Sequence, residues 1–344
     1  MTKVLKRLVI FMVLVLVFSL LFGSVLVFAN DNKVYKIRFA HGLPSTHHVG
    51  IEYANWAKMI NEESDGRLKV EIYPGGQLYD DTKLISAVKT GACEMGSVYT
   101  FNAATIVPEF KVFTIPMVIN GREKYIKLIE GDIGKYLFSK IEDKGIKPLG
   151  WVVWGIGGEE MAIISTTPLH VPSDLKGKIV RSMSPEQAQY FQEYCGASSG
   201  MVSGAELYMA LQRGTLNASV ASLSHLVDRK LSEIAPYCLL FPLSTFPNIL
   251  IMNAQFYDKL PEDLQQVINS VTAKIQKESY KESAYVATVY ELKAKQAVEA
   301  RGGEIYTPTP EEYALWSKDI EDFWKRVTEK DPAIYDLIMK IQKL

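Results

Sequence analysis

Between Val171 and Leu223 the chain carries its most constraining run, VPSDLKGKIVRSMSPEQAQYFQEYCGASSGMVSGAELYMALQRGTLNASVASL. Pro172-Ser173-Asp174-Leu175-Lys176-Gly177 is a polar turn feeding a short β-branched run, Ile179 and Val180, that ends on Arg181. Ser184-Pro185-Glu186-Gln187 then starts a helix, with serine at the N-cap, proline at the first helical position and glutamine placed to complete a capping box. Gly196 stops it. A second start at Ser203, with Glu206 placed as its box partner, opens a helix whose Leu207, Ala210 and Leu211 make a buried stripe before Gly214.

Strand, helix, link, helix is an α/β succession. In an open α/β sheet, ligands bind beyond the carboxyl ends of the strands and against helix N-termini, where unpaired N–H groups and the dipole favour anions. Arg181 and Ser184 share such a corner, and the plainer alternative for Arg181 is a salt bridge at a domain edge.

The rest of the chain continues the pattern. Tyr35 to Ala40 alternates as a strand, and the polar loop after it holds His41, Gly42, Pro44, His47 and His48. A loop in that place is a usual ligand wall. No carboxylate or cysteine stands at ligand spacing from these histidines, so they read as pocket or solvated residues and no metal is expected. Tyr53, Trp56, Ala57 and Ile60 recur at helical spacing, Gly66 stops that helix, and RLKVEIYP follows as a strand, which makes a parallel strand-helix-strand unit. The turn PGGQL leads to Asp80 and Asp81, both N-cap candidates for a helix through Leu84, Ala87 and Val88, before a strand from Glu94 to Tyr99.

Gly150 to Gly158, GWVVWGIGG, is an aromatic strand running into glycines and is the first candidate for a crossing between domains. Trp154, nearer the glycines, is a pocket ring or a core ring. PLSTFPNILIMN is the return crossing, with Phe246 and Asn248 at its start. From Pro261 to Arg301 a helical pattern runs on; unbroken, at about 1.5 Å per residue, it would reach about 60 Å, longer than one domain. A pair of helices is the alternative.

A chain of 344 residues suits two domains. Its net charge of −1, with no basic run beyond the amino terminus, excludes an electrostatic footprint for nucleic acid. Lys3, Lys6 and Arg7 precede an apolar run from Leu8 to Phe28, and Ala29 offers a small-residue cleavage site, so residues 1–29 read as an export signal. Left uncleaved, a run of about 21 residues is long enough to anchor the chain in a bilayer. Cys93, Cys195 and Cys238 are too few and scattered for a disulfide scaffold or zinc site and read as core residues.

Enzyme motifs fail on context. Gly196 to Gly200 spells GxSxG, yet Ser198 follows a helix stop instead of sitting on a strand-to-helix elbow. Ser173 to Lys176 spells SxxK inside a proline-led turn, and Glu159-Glu160 are adjacent residues with no reason to share a site. No catalytic residue and no cofactor is expected.

The order PSDLKGKIVR, capped helix, GAELYMALQRGT resembles the substrate-binding (DctP-like) subunit of tripartite ATP-independent periplasmic (TRAP) transporters, and so do PGGQL, AVKTGACEMG, VPEF and Pro116. The resemblance covers the whole mature chain. It implies an α/β, two-domain periplasmic binding protein (type II-like) with an interdomain cleft and a long helix across both domains. Domain I would comprise 30–156 and 248–288, and domain II 157–247 and 289–344. It implies Arg181 as the ligand arginine, with Asp81, Val98 and Tyr99 facing the ligand. Together with the positional readings, the candidate site is Arg181, Asp81, Tyr99, His41, Gly42, Trp154, Ser184, Ser222, Phe246 and Asn248.

Function follows as an expectation: an extracytoplasmic protein that closes on a small organic anion, a carboxylate, and delivers it to membrane permease subunits. Alternatives are service to an ATP-driven importer or a sensor, or an exported hydrolase using Ser198. Departures from the family pattern bear on the ligand. The place of a frequent second arginine falls at Glu160 or Met161, a frequent asparagine is Ala221 with Ser222 as the nearest hydroxyl, and a frequent aromatic is Gly204. One cation and few polar groups point to a monocarboxylate with an apolar or aromatic body.

Overall fold

β1 (Tyr35–His41) turns Ile37 and Phe39 into the core, and the next apolar stripe, Tyr53, Trp56, Ala57 and Ile60, lies on α1 (His48–Glu63). Burying both stripes brings β2 (Leu68–Tyr73) parallel to β1. The unit repeats through α2 (Asp81–Thr90), which returns the chain to β3 (Met95–Tyr99), also parallel to β1. β4 (Ile146–Val152) closes the edge, and a strand from much later in the chain, β10 (Asn248–Asn253), lies antiparallel between β3 and β4. The first sheet therefore has the order β2-β1-β3-β10-β4. The computed structural model describes residues 33–152 and 161–344.

The second sheet contains β5 (Met161–Ser165), β6 (Ile179–Arg181), β7 (Ser198–Gly200), β8 (Ala218–Ser222), β9 (Tyr237–Leu239) and β11 (Glu304–Tyr306), in the order β11-β9-β5-β8-β6-β7. β6 runs parallel to β7 and β8, whereas β5 runs antiparallel to β8 and β9. α3 (Pro185–Cys195) has Ser184 as its N-cap and Gly196 in the left-handed region as its stop, as its sequence predicts. The following helix is shorter than its sequence predicts. α4 (Leu207–Gln212) starts beyond Glu206, although the Glu206 carboxylate makes the box contact its sequence predicts, accepting from the Ser203 N–H at 3.2 Å and hydroxyl at 2.8 Å. α5 (His225–Asp228) is a single turn after β8.

The long apolar pattern forms one helix, α6 (Glu262–Glu299), of 38 residues, and not a broken pair. Its first part puts Leu264, Ile268 and Val271 into the core behind the first sheet, and its last part puts Ala294 and Val298 into the core behind the second. The Trp56 indole N–H donates to Thr272 Oγ1 at 3.0 Å, and Gln276 Oε1 accepts from the Trp151 N–H at 2.8 Å where β10 and β4 slip register. Gly150 beside that slip has no side chain because a Cβ there would come 2.8 Å from Thr272 Cγ2.

The C-terminal segment serves both lobes. Tyr190 of α3 donates to the Trp316 carbonyl, whereas the Trp324 indole donates to the Pro116 carbonyl and α7 (Pro332–Gln342) packs on residues 108–113. Assigning 289–344 to one lobe alone therefore misses the contacts of its last helices. Cys93, Cys195 and Cys238 are all buried and unbridged. Among the described residues no helix is long and apolar enough to cross a membrane. The export-signal reading of 1–29 and the crossing through Trp154 and Glu159-Glu160 lie outside the described residues.

Candidate functional site

β3, β6 and β8 all end at one cavity of about 40 Å³, contributing Tyr99, Arg181 and Ser222 from their carboxyl ends. Asp81, Phe101, Met183, His225, Arg229 and Phe246 help to complete its wall. A larger cavity of about 620 Å³ adjoins it, sharing Asp81, Phe101, Arg181, Met183 and Gly204 and adding Ser184 and Glu186. Residues from both sheets line these spaces, so a molecule held there touches both lobes.

Arg181 is 5% exposed, and its Nε donates to the Val202 carbonyl at 2.8 Å. Burial lowers its pKa to about 10, and the nearby Arg229 charge lowers it too, while Tyr99 and Asp81 oppose. It remains a cation throughout the ordinary pH range. Asp81 comes from the first turn of α2, where Asp80, not Asp81, is the cap: its carboxylate accepts from the Thr82 N–H at 2.8 Å. Among the described residues the buried Asp81 Oδ1 has no hydrogen-bond partner. Burial raises its pKa to about 6 against the pull of Arg229 and Arg181.

Gly42 lies against Asp81 and supplies the space that the carboxylate fills. Tyr99 stacks on Phe101 at 4.9 Å between centroids, and Phe246 meets Phe101 edge-on at 5.9 Å, giving the cavity an aromatic wall. Ser222 Oγ is 2.9 Å from Ser224 Oγ. Ser184 caps α3 by accepting from the Gln187 N–H and borders only the outer cavity.

Two candidates stand behind the site instead of in its lining. His41 is buried edge-on to Tyr53, and its Nδ1 accepts from the Leu43 N–H; burial lowers its pKa to about 4, so the ring is neutral. Asn248 Nδ2 donates to Ser97 Oγ at 2.9 Å in a buried network with Tyr53. Both hold the floor that β1, β3 and β10 share. Trp154 lies outside the described residues. Ser198 opens an edge strand and its hydroxyl is turned to the Lys178 carbonyl, which is not a nucleophile's placement.

His47, His48 and Asp228 come close enough to suggest a metal centre. The hydrogen bonding argues otherwise: the Val49 N–H is donated to His47 Nδ1, so the neutral ring carries its proton on Nε2, which meets Ser224 Oγ at 3.5 Å. Burial keeps His47 far below the ordinary histidine range, which holds it neutral. Through Nε2, which meets Ser224 Oγ at 3.5 Å, His47 joins the start of α1 in the first lobe to the turn that opens α5 in the second.

Comparison with known proteins settles what this architecture is. The family described as bacterial extracellular solute-binding protein, family 7 (DctP) matches residues 39–331. The chain belongs to this DctP family. It is 28% identical over 297 residues to the C4-dicarboxylate-binding periplasmic protein DctP of Rhodobacter capsulatus, covering 86% of each chain. A TRAP periplasmic solute-binding protein from Sulfurospirillum deleyianum, solved with bound succinate, superposes with a TM-score of 0.83 at 25% identity over 90% of this chain and 99% of that one. One from Pseudomonas putida F1, solved with D-glucuronate, shares the fold at a TM-score of 0.78 and 22% identity, over 90% and 97%. By that membership the protein is an extracellular solute-binding protein.

In the lining of this cavity, sequence reading missed Arg229, His225, Phe101 and Met183. Arg229 overturns the expectation of one cation: its Nη1 donates to the Gly204 carbonyl at 2.9 Å and its Nε to His225 Nε2 at 3.4 Å. Accepting from a guanidinium requires a neutral ring, and burial with the Arg229 charge keeps the His225 pKa far below the ordinary range. No spacing signal marks Arg229, which follows a one-turn helix instead of ending a strand.

Proposed function

We propose that this protein captures a small carboxylate through Arg181, in the cavity between its two sheets. The observation that carries the reading is a guanidinium 5% exposed, set at the end of β6 on a wall otherwise largely apolar. Charge-assisted bonds from a guanidinium to a carboxylate are among the strongest a protein makes, and a dry cavity strengthens them. Tyr99, Phe101, Met161, Met183 and Phe246 would face an apolar body. The carboxylates named for the R. capsulatus and S. deleyianum proteins support the same ligand class.

Binding and release leave the ligand chemically unchanged in this reading, so no residue is assigned to catalysis. Closure would move the unit 30–156 with 248–288 against the unit 157–247 with 289–344, apart from the C-terminal helices shared between them. A ligand that touches both lobes has differential affinity for the closed state, which is what drives closure. Residues 1–29 would direct export.

The test is a thermal-shift panel of small carboxylates on the purified protein beside Arg181→Ala, since a ligand bound only to the folded state raises the melting temperature. A carboxylate that stabilises the parent but not the variant supports the reading. Equal stabilisation of both removes Arg181 from the site.

A further inference from the structure

We propose that Arg229 is a second anion anchor, that it and Arg181 grip one and the same ligand carboxylate, and that Asp81 sets the pocket's charge so that monocarboxylates are preferred to dicarboxylates. This rests on the carboxylate reading above and makes it more specific.

The first observation is the unfilled end of a fixed fork. Arg229 is held through Nη1 by the Gly204 carbonyl and through Nε by His225, and the Tyr99 hydroxyl lies close to its charge, while among the described residues its buried Nη2 meets no acceptor in hydrogen-bond geometry. A buried donor on a charged group without an acceptor is costly, and an anion in the cavity that Arg229 lines would relieve that cost.

Gly204 is the second observation. A Cβ at this position would lie 3.2 Å from Arg229 Nη2, so any side chain there would press on the guanidinium. The lack of a side chain at 204 is what leaves room for Arg229. A cation thus reaches the pocket from the residue that ends α5.

The third is size. A water needs about 10–15 Å³ of such space, so an inner cavity of about 40 Å³ accommodates a carboxylate head with a short body. A second carboxylate at the end of a carbon chain would have to lie beyond this inner space, in the outer cavity that Arg181 also lines and Arg229 does not. The two guanidiniums therefore converge on one group, and any longer body extends toward the outer cavity.

Charge decides the preference. Among the described residues, two guanidiniums and one ionised carboxylate line the inner cavity, leaving one positive charge for the ligand to neutralise. A monocarboxylate does so. A dianion leaves a buried negative charge beside Asp81, which a low-dielectric site penalises.

The experiment is isothermal titration of the purified protein with propionate, 2-oxobutyrate, malonate and succinate at pH 8, for the parent, Arg181→Gln, Arg229→Gln, Arg229→Lys and Asp81→Asn. Each variant's own melting curve reports folding. The expected result is monocarboxylate binding to the parent that falls at least tenfold in Arg229→Gln, comparably to Arg181→Gln, and partly returns in Arg229→Lys. Asp81→Asn should shift the preference toward succinate by at least tenfold.

Folded Arg229 variants that bind monocarboxylates with parental affinity would overturn the proposal while leaving the carboxylate reading intact. So would loss of dicarboxylate binding alone in Arg229→Gln, because Arg229 would then hold a second carboxylate. A parent that binds none of the four would overturn both.

Discussion

A Cβ on Gly42 would overlap the carboxylate of Asp81. The loop after β1 therefore fixes the position of the one acidic group in the inner cavity, although Gly42 itself lies outside the lining. Gly42→Ala should displace Asp81 and cost about 1–3 kcal/mol, the usual range for overpacking. Urea unfolding measures the loss, and titration with the best carboxylate should show weakened binding in the folded fraction.

Arg181→Ala should abolish ligand stabilisation while leaving the fold largely intact. The Val202 carbonyl loses one donor, a loss of about 1 kcal/mol for a typical bond. The ligand-induced rise in melting temperature should vanish across the carboxylate panel.

Dicarboxylate affinity should rise as pH falls through about 6, where Asp81 takes up a proton and the inner cavity gains a positive charge. Asp81→Asn should bind succinate without that pH dependence. The same group acts on stability. Its folded pKa is raised above the unfolded value of an aspartate, so its contribution is fully present below that value and is lost as pH rises through about 6. A pH series of melting temperatures for parent and Asp81→Asn reads this slope directly.

The buried histidines should act in the opposite sense. His41 is lowered to about 4, and His47 and His225 lie well below the ordinary range, in each case first through burial. Their folded states bind fewer protons than the unfolded chain, so stability is complete above about pH 6.5 and declines as pH falls toward 4. His41→Phe should flatten that decline in calorimetric scans from pH 7 to 4.

Gln276→Ala should destabilise the protein by about 1–3 kcal/mol, because the Trp151 N–H at the register slip of β4 would lose its acceptor in a half-buried place. Chemical unfolding measures it, and Gln276→Glu, which keeps an acceptor oxygen, should recover most of the loss.

Local chemistry fixed much of the site in advance. Serine before proline made Ser184 a cap, a β-branched run ending on an arginine placed Arg181 at the edge of a sheet, and the two strand-helix-strand units followed from hydrophobic period. These are interactions between residues a few positions apart, so they can be read from order alone. The same reading could not choose between Asp80 and Asp81 as the cap, because both offer a carboxylate at a helix start; the fold assigned the cap to Asp80 and turned Asp81 to the cavity.

Groups that meet from distant parts of the chain are another matter. Arg229 and Asp81 line one cavity because β8 and β3 end at one place, and Arg229 fits because position 204, on a separate loop, has no side chain. His41 and Asn248 sit at strand ends as binding residues do, yet buried hydrogen bonds turned them to the floor instead of the cavity. Sequence determined the elements, the family and the place of Arg181 at the end of a strand. Only the tertiary structure decided the pocket's charge, since the sum of charges in a cavity depends on which side chains burial brings together and not on their spacing along the chain.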